Sequence, residues 1–173
     1  MIVKWSKNDL LNTKDGVISF QEDLTFPKET FAKIHQLRDL KDVHVEGSLD
    51  YDGKSDLVTV DMEISGEMIL PCAITNEDVP YPFDIEPTEV FAFRKVDDTE
   101  DLHEAKGDVI ELLPIIFQDI MMEVPLKVVK DDIKEYPKGE GWEVISESDY
   151  QKRKKDEVDP RLAKLAEFKI EED

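Results

Sequence analysis

The segment Leu57–Phe93, LVTVDMEISGEMILPCAITNEDVPYPFDIEPTEVFAF, constrains the fold most, because its apolar residues recur at every second position. Val58, Val60, Met62, Ile64, Met68, Leu70 and Cys72 share one parity, and Thr59, Asp61, Glu63, Ser65 and Glu67 take the other. Successive strand residues point to opposite faces, so this period predicts a half-buried antiparallel strand. Gly66 interrupts it and predicts a bulge or bend in a curved sheet. Upstream, Val43, Val45, Gly47, Leu49 and Tyr51 alternate with His44, Glu46, Ser48 and Asp50, and Asp52-Gly53 supplies turn chemistry. Val43–Tyr51 and Leu57–Cys72 are therefore read as a hairpin. Val79, Tyr81, Phe83 and Ile85 resume the alternation. Pro80 and Pro82 cannot donate to a ladder, which puts that segment at a sheet edge, with Thr88–Phe93 pairing again beyond Pro87. Ile18, Phe20, Leu24 and Phe26 mark one more strand in Gly16–Phe26.

Helical spacing is clearest in Leu112, Leu113, Ile116, Phe117, Ile120, Met121 and Val124, with Pro114 in the first turn and Pro125 just past the end. Glu111, Gln118, Asp119, Met122 and Glu123 fall on its outer side, so this helix is expected to cover one face of the sheet. Ser6-x-x-Asp9 reads as a capping box after a short edge strand at Met1–Trp5. Pro27 opens a short helix carrying Phe31, Ile34 and Leu37. Asp97–Gly107 reads as an open acidic loop, and Leu126–Val129 as a short strand. Residues 131–158 have the composition of a linker that docks in places. Asp159-Pro160 opens a last short helix with Leu162, Leu165 and Phe168 on one side. The fold class is α+β: a curved antiparallel sheet covered by one amphipathic helix, with a loosely packed acidic C-terminal third. Residues 1–130 form the core domain, and residues 131–173 a polar, partly ordered extension.

The 173 residues carry 42 Asp and Glu against 22 Lys and Arg, a formal charge of -20. Bare nucleic acid would repel such a chain at long range, and a basic protein would attract it. One cysteine excludes an internal disulfide, no charged-then-apolar leader opens the chain, and no apolar run approaches the roughly 18 to 20 residues that span a bilayer. The expected location is the cytoplasm.

Signals for catalysis are weak. Cys72 continues the buried parity of Val58–Leu70, where a free thiol behaves as a small hydrophobe, and this outweighs a nucleophile or lone-ligand role. His35, His44 and His103 show no ligand spacing, no glycine-rich phosphate loop occurs, and no carboxylate pair sits beside a Ser, His or Cys arrangement. The expectation is a protein without enzymatic activity, metal or cofactor. Lys152-Arg153-Lys154-Lys155 is the only basic run. With Asp159 and Arg161 it forms the candidate partner-binding set. Flanking Asp149, Asp156 and Glu157 favour a self-compensated surface over RNA phosphate contact.

The order of these segments resembles the YceD family, the large ribosomal RNA subunit accumulation proteins. The features that carry it are Val43–Phe93 with its G-x-x-x-L-x-C, the segment Gly107–Val129, and Asp159-Pro160-Arg161-Leu162-Ala163-Lys164-Leu165. In that family the cysteine often begins C-x-x-C and a second cysteine cluster follows later, giving a four-thiolate site. Here Thr75 stands at the second cysteine position, and Lys130, Asp131 and Asp132 follow Leu126–Val129, so the metal-binding part does not transfer. The resemblance implies a non-enzymatic factor in large-subunit ribosomal RNA accumulation. The charge implies that it works through a basic ribosomal or assembly protein, with ribosomal RNA present within the complex. The alternative is a specific RNA-binding factor using Lys152–Lys155 and Arg161. A magnesium-dependent nuclease is a third and weaker reading.

Overall fold

The computed structural model describes residues 3–97, 101–131, 133 and 136–156. In chain order the elements are β1 (Lys4–Ser6), α1 (Lys7–Asn12), β2 (Val17–Leu24), β3 (Asp39–Asp52), β4 (Leu57–Pro71), β5 (Asp78–Ile85), β6 (Thr88–Ala92), β7 (His103–Glu104), β8 (Val109–Glu111), α2 (Leu113–Glu123), β9 (Lys138–Gly139), β10 (Trp142–Glu143) and α3 (Glu147–Asp156). They fall into two compact units, residues 1–130 and 131–173.

The expected hairpin organises the first unit. β3 and β4 pair from Asp52↔Leu57 beside the turn to Asp39↔Ile69 at the far end. The even-numbered apolar residues of β4 are all buried, with Val58, Val60, Ile64 and Met68 fully so. β2 adds to the free side of β3, and the other side of β4 is shared. β6 takes Leu57–Asp61, β5 takes Ile64–Pro71, and Met62 donates its N–H to the carbonyl of Pro87 (3.0 Å) where the chain passes between them. Among the described residues β5 pairs with β4 alone, which leaves Pro80 and Pro82 on an edge strand as expected.

Two glycines fix how closely these strands approach. Lys41 pairs with Glu67 and His44 with Ser65, so Asp42 and Val43 together oppose Gly66. The irregularity expected at Gly66 is thus a bulge in the facing strand, with Asp42 at φ 49°. A Cβ at Gly66 would lie 3.1 Å from the Phe83 ring and 3.2 Å from the Lys41 carbonyl oxygen. At Gly47 the constraint is harder, because a Cβ would fall 2.3 Å from the Asp61 carbonyl oxygen.

One face of the sheet is the core. Helix α2 lies in it through Ile116 and Ile120, both fully buried, each worth about 1.5–3 kcal/mol of apolar transfer. Phe117 meets Phe26 and Phe31 at ring separations of 5.5 and 6.2 Å. β1 and β8 form a separate two-stranded ribbon, so the N-terminal strand expected at an edge is not on the main sheet. The predicted capping box holds α1: the N–H of Ser6 donates to Asp9 (2.8 Å) and the N–H of Asp9 to the Ser6 hydroxyl (3.3 Å). Lys7 then reaches Asp56 (2.6 Å), which also accepts from the Tyr51 hydroxyl (2.8 Å), tying α1 to the start of β4.

Other expectations are corrected. Pro27 leads only a single 3-10 turn, Lys28–Phe31, and the chain then turns again, although Phe31 and Leu37 are buried as their spacing implied. The acidic segment returns to the sheet: β7 pairs parallel with β6 at Phe91↔His103 and Ala92↔Glu104. Leu126–Val129 is not a strand. Leu126 is 99% exposed, while Val128 packs against the core and its carbonyl accepts from the Ala73 N–H (2.8 Å). On α2, Leu113 is exposed and Asp119 buried, the reverse of their assignment, and Glu111 belongs to β8. The expected helix after Asp159-Pro160 lies outside the described residues.

The described residues of the second unit are more regular than a linker. β9 and β10 form a hairpin whose turn holds Gly141 at φ 81°, and α3 begins after Ser146, whose hydroxyl accepts from the Asp149 N–H (3.1 Å).

Candidate functional site

The outward face of the sheet is where charge accumulates. Strand pairing aligns outward side chains into transverse rows: Asp23, His44, Ser65 and Asp84 form one, Gln21, Glu46 and Glu63 the next, and Ser19, Ser48, Asp61 and Thr88 a third. The last two rows line an open trough of about 720 Å³, walled at one side by Glu86, Pro87 and Thr88 and floored by Phe20, Gly47 and Met62. Among the described residues no lysine or arginine lines it. His44 is engaged at both ring nitrogens, with Asp23 at 2.6 Å and the Gln21 amide at 3.0 Å. Asp61 accepts from the Thr88 hydroxyl (2.7 Å).

Glu46 and Glu63 stand directly opposite one another across β3 and β4. Like charges at that position destabilise a sheet. Neither carboxylate has a hydrogen-bond or ion-pair partner among the described residues. Both are exposed, so water moderates the repulsion, but a cation arriving between them would meet two acceptors at once. Each acid was visible in the sequence on a polar parity. Their convergence depends on the β2-β3-β4 register, which one strand's pattern does not supply.

The basic run is arranged differently. Arg153 is ion-paired with Glu143 across the second unit, Lys152 lies 3.8 Å from Asp149, and Lys154 stands 6.0 Å over the Tyr150 ring. Of the flanking acids only Asp149 is engaged, by Lys152; the partner of Arg153 comes from β10 and that of Lys154 is a neutral ring. The side chain of Lys155, and Asp159 and Arg161 altogether, lie outside the described residues. Trp142 lies over Gly139, where a Cβ would come within 2.4 Å of the indole Nε1, so the ring packs on its own hairpin.

Two buried titratable groups are perturbed, of which Asp119 is expected on the outer side of its helix and Cys72 inside. Asp119 on α2 is 9% exposed, and its Oδ2 is fully buried without a partner. Burial pushes its carboxyl up to about 6, Glu89 adds to the rise, and His103 opposes it. Glu89 and His103 are themselves joined at 2.5 Å, so the strand added from the acidic segment brings the imidazole into the core-side cluster. Cys72 is buried as its parity required, yet the Thr75 hydroxyl, followed by the Thr75 N–H at 3.5 Å and the Lys130 and Ile74 N–H groups, lowers its thiol to about 6 against the cost of burial. Among the described residues no group of three or more His, Cys, Asp and Glu is arranged to hold a metal ion, and no helix is long and apolar enough to cross a membrane.

Comparison with known proteins adds the following. The family model described as large ribosomal RNA subunit accumulation protein YceD matches residues 60–169. The chain is similar to the uncharacterized protein YlbN of Bacillus subtilis (strain 168), 39% identical over 162 residues, which cover 90% of this chain and 91% of the relative. No solved structure matches.

Proposed function

The chain belongs to the YceD family of large ribosomal RNA subunit accumulation proteins, and from that membership we propose that it is a non-enzymatic cytoplasmic factor supporting large-subunit ribosomal RNA accumulation by binding a basic ribosomal or assembly protein. The observation that carries the second half is the outward sheet face, where Glu46 and Glu63 oppose each other without a cation. Such a surface speeds the encounter with a positively charged partner and screens its cations until ribosomal RNA takes them over. The RNA-binding alternative is weaker, because Lys152, Arg153 and Lys154 each have a local partner and phosphate contact would have to displace it. Depletion followed by subunit profiling tests the family role: a selective shortfall of large subunits is expected, and a normal profile would count against it. Affinity capture tests the mechanism. The expected prey are basic proteins, and tight capture of bare RNA at physiological salt would reverse the order of the two readings.

A further inference from the structure

We propose that the trough across β2, β3 and β4 receives an extended segment of the partner with arginine or lysine at alternate positions, one cation seated between Glu46 and Glu63. This rests on the reading of a basic partner and adds where and in what form it binds. Along β4, Asp61 and Glu63 are two residues apart, so their carboxylates repeat at about 6.6–6.8 Å. An extended peptide repeats its own side chains at the same interval, so alternate cations fall into step with alternate acids. From β2 to β4 is two strand spacings, about 10 Å, which suits one extended chain better than a helix at 10–12 Å with its side chains. The short side chains of Ser19 and Ser48 leave the approach to the backbone open. A guanidinium between Glu46 and Glu63 would remove the like-charge opposition that the free protein carries there.

The test uses the full chain and fluorescence anisotropy at physiological salt with two labelled twelve-residue peptides of identical composition. One alternates arginine and serine, and the other holds its arginines in a block. The wild type should prefer the alternating peptide by about tenfold, the scale of two or three exposed charge pairs. Glu46→Gln with Glu63→Gln should weaken that binding about tenfold, while Glu123→Gln with Glu140→Gln, equal in charge but off the trough, should change it less than about twofold. Thermal melting of each variant confirms that it is folded. Equal losses from both pairs, equal affinity for both peptides, or no binding by the wild type would each overturn the proposal. If the wild type captures basic proteins and Glu46→Gln/Glu63→Gln captures them equally well, the placement fails and the functional reading stands. If the wild type captures none while the trough binds the alternating peptide as described, the functional reading fails and the placement stands.

Discussion

Replacing Asp119 by asparagine should stabilise the protein, and by an amount that depends on pH. The carboxyl is 9% exposed with one oxygen unpartnered, and its folded value of about 6 stands against an ordinary 3.8. A folded value above the unfolded one means that the proton is held more tightly in the native state. The native state is therefore unpenalised below the unfolded value and progressively destabilised as pH rises through the folded one. Above both values the cost approaches about 3 kcal/mol, at about 1.4 kcal/mol for each pH unit separating them. At pH 5, where the native carboxyl still keeps most of its proton, about half that cost remains. Asparagine keeps the shape and never ionises, so it removes the titrating part and leaves an unpartnered polar atom in both proteins. Thermal melts followed by far-UV circular dichroism should place the Asp119→Asn variant above the wild type at pH 7.5. At about 2–4 °C for each kcal/mol in a chain of this size, the shift is at most about 6–12 °C, and it should fall to about half at pH 5. A variant equal to or less stable than the wild type at pH 7.5, or a difference that does not shrink at pH 5, would refute the assignment of the cost to this ionisation.

Other consequences can be checked in the same way. Gly47→Ala forces a Cβ against the Asp61 carbonyl and must part β3 from β4, so a loss of roughly 2 kcal/mol or more is expected in urea unfolding, and a neutral effect would mean the strands are not that close. Asp56→Asn removes the ion pair to Lys7 and weakens the hydrogen bond from Tyr51, which together hold that carboxyl below the usual range. The cost at neutral pH should be about 1 kcal/mol, and since a depressed folded value stabilises only while the acid is charged, it should fade as pH drops through the carboxylate range. Absorbance of the Cys72 thiolate near 240 nm should titrate well below an ordinary thiol, at about 6, and a midpoint above the ordinary 9.0 would show burial outweighing the Thr75 hydroxyl and the N–H groups.

The sheet was legible in the sequence because the parity of Val58–Cys72 and Val43–Tyr51 has one physical meaning once one face is buried. What escaped were features with no periodic signature. β7 is two residues of parallel pairing, held by backbone and by the bond between His103 and Glu89, and no apolar pattern announces it. The bulge sits at Asp42, a non-glycine residue at positive φ, so Gly66 pointed to the place but not to the strand. Helical spacing puts Asp119 on the outer side of α2, yet it is buried toward the core-side cluster of Glu89 and His103, which only the added strand β7 brings there. The acids of the trough could be counted, but only the register makes Glu46 and Glu63 neighbours.

The most direct measurement of the central claim is complementation of depleted cells with the Glu46→Gln/Glu63→Gln double variant, read as the ratio of large to small ribosomal subunits. A folded variant, accumulating to the wild-type level, should leave the large-subunit shortfall unrepaired. Full restoration of large subunits by that same variant would contradict a role for the acidic sheet face.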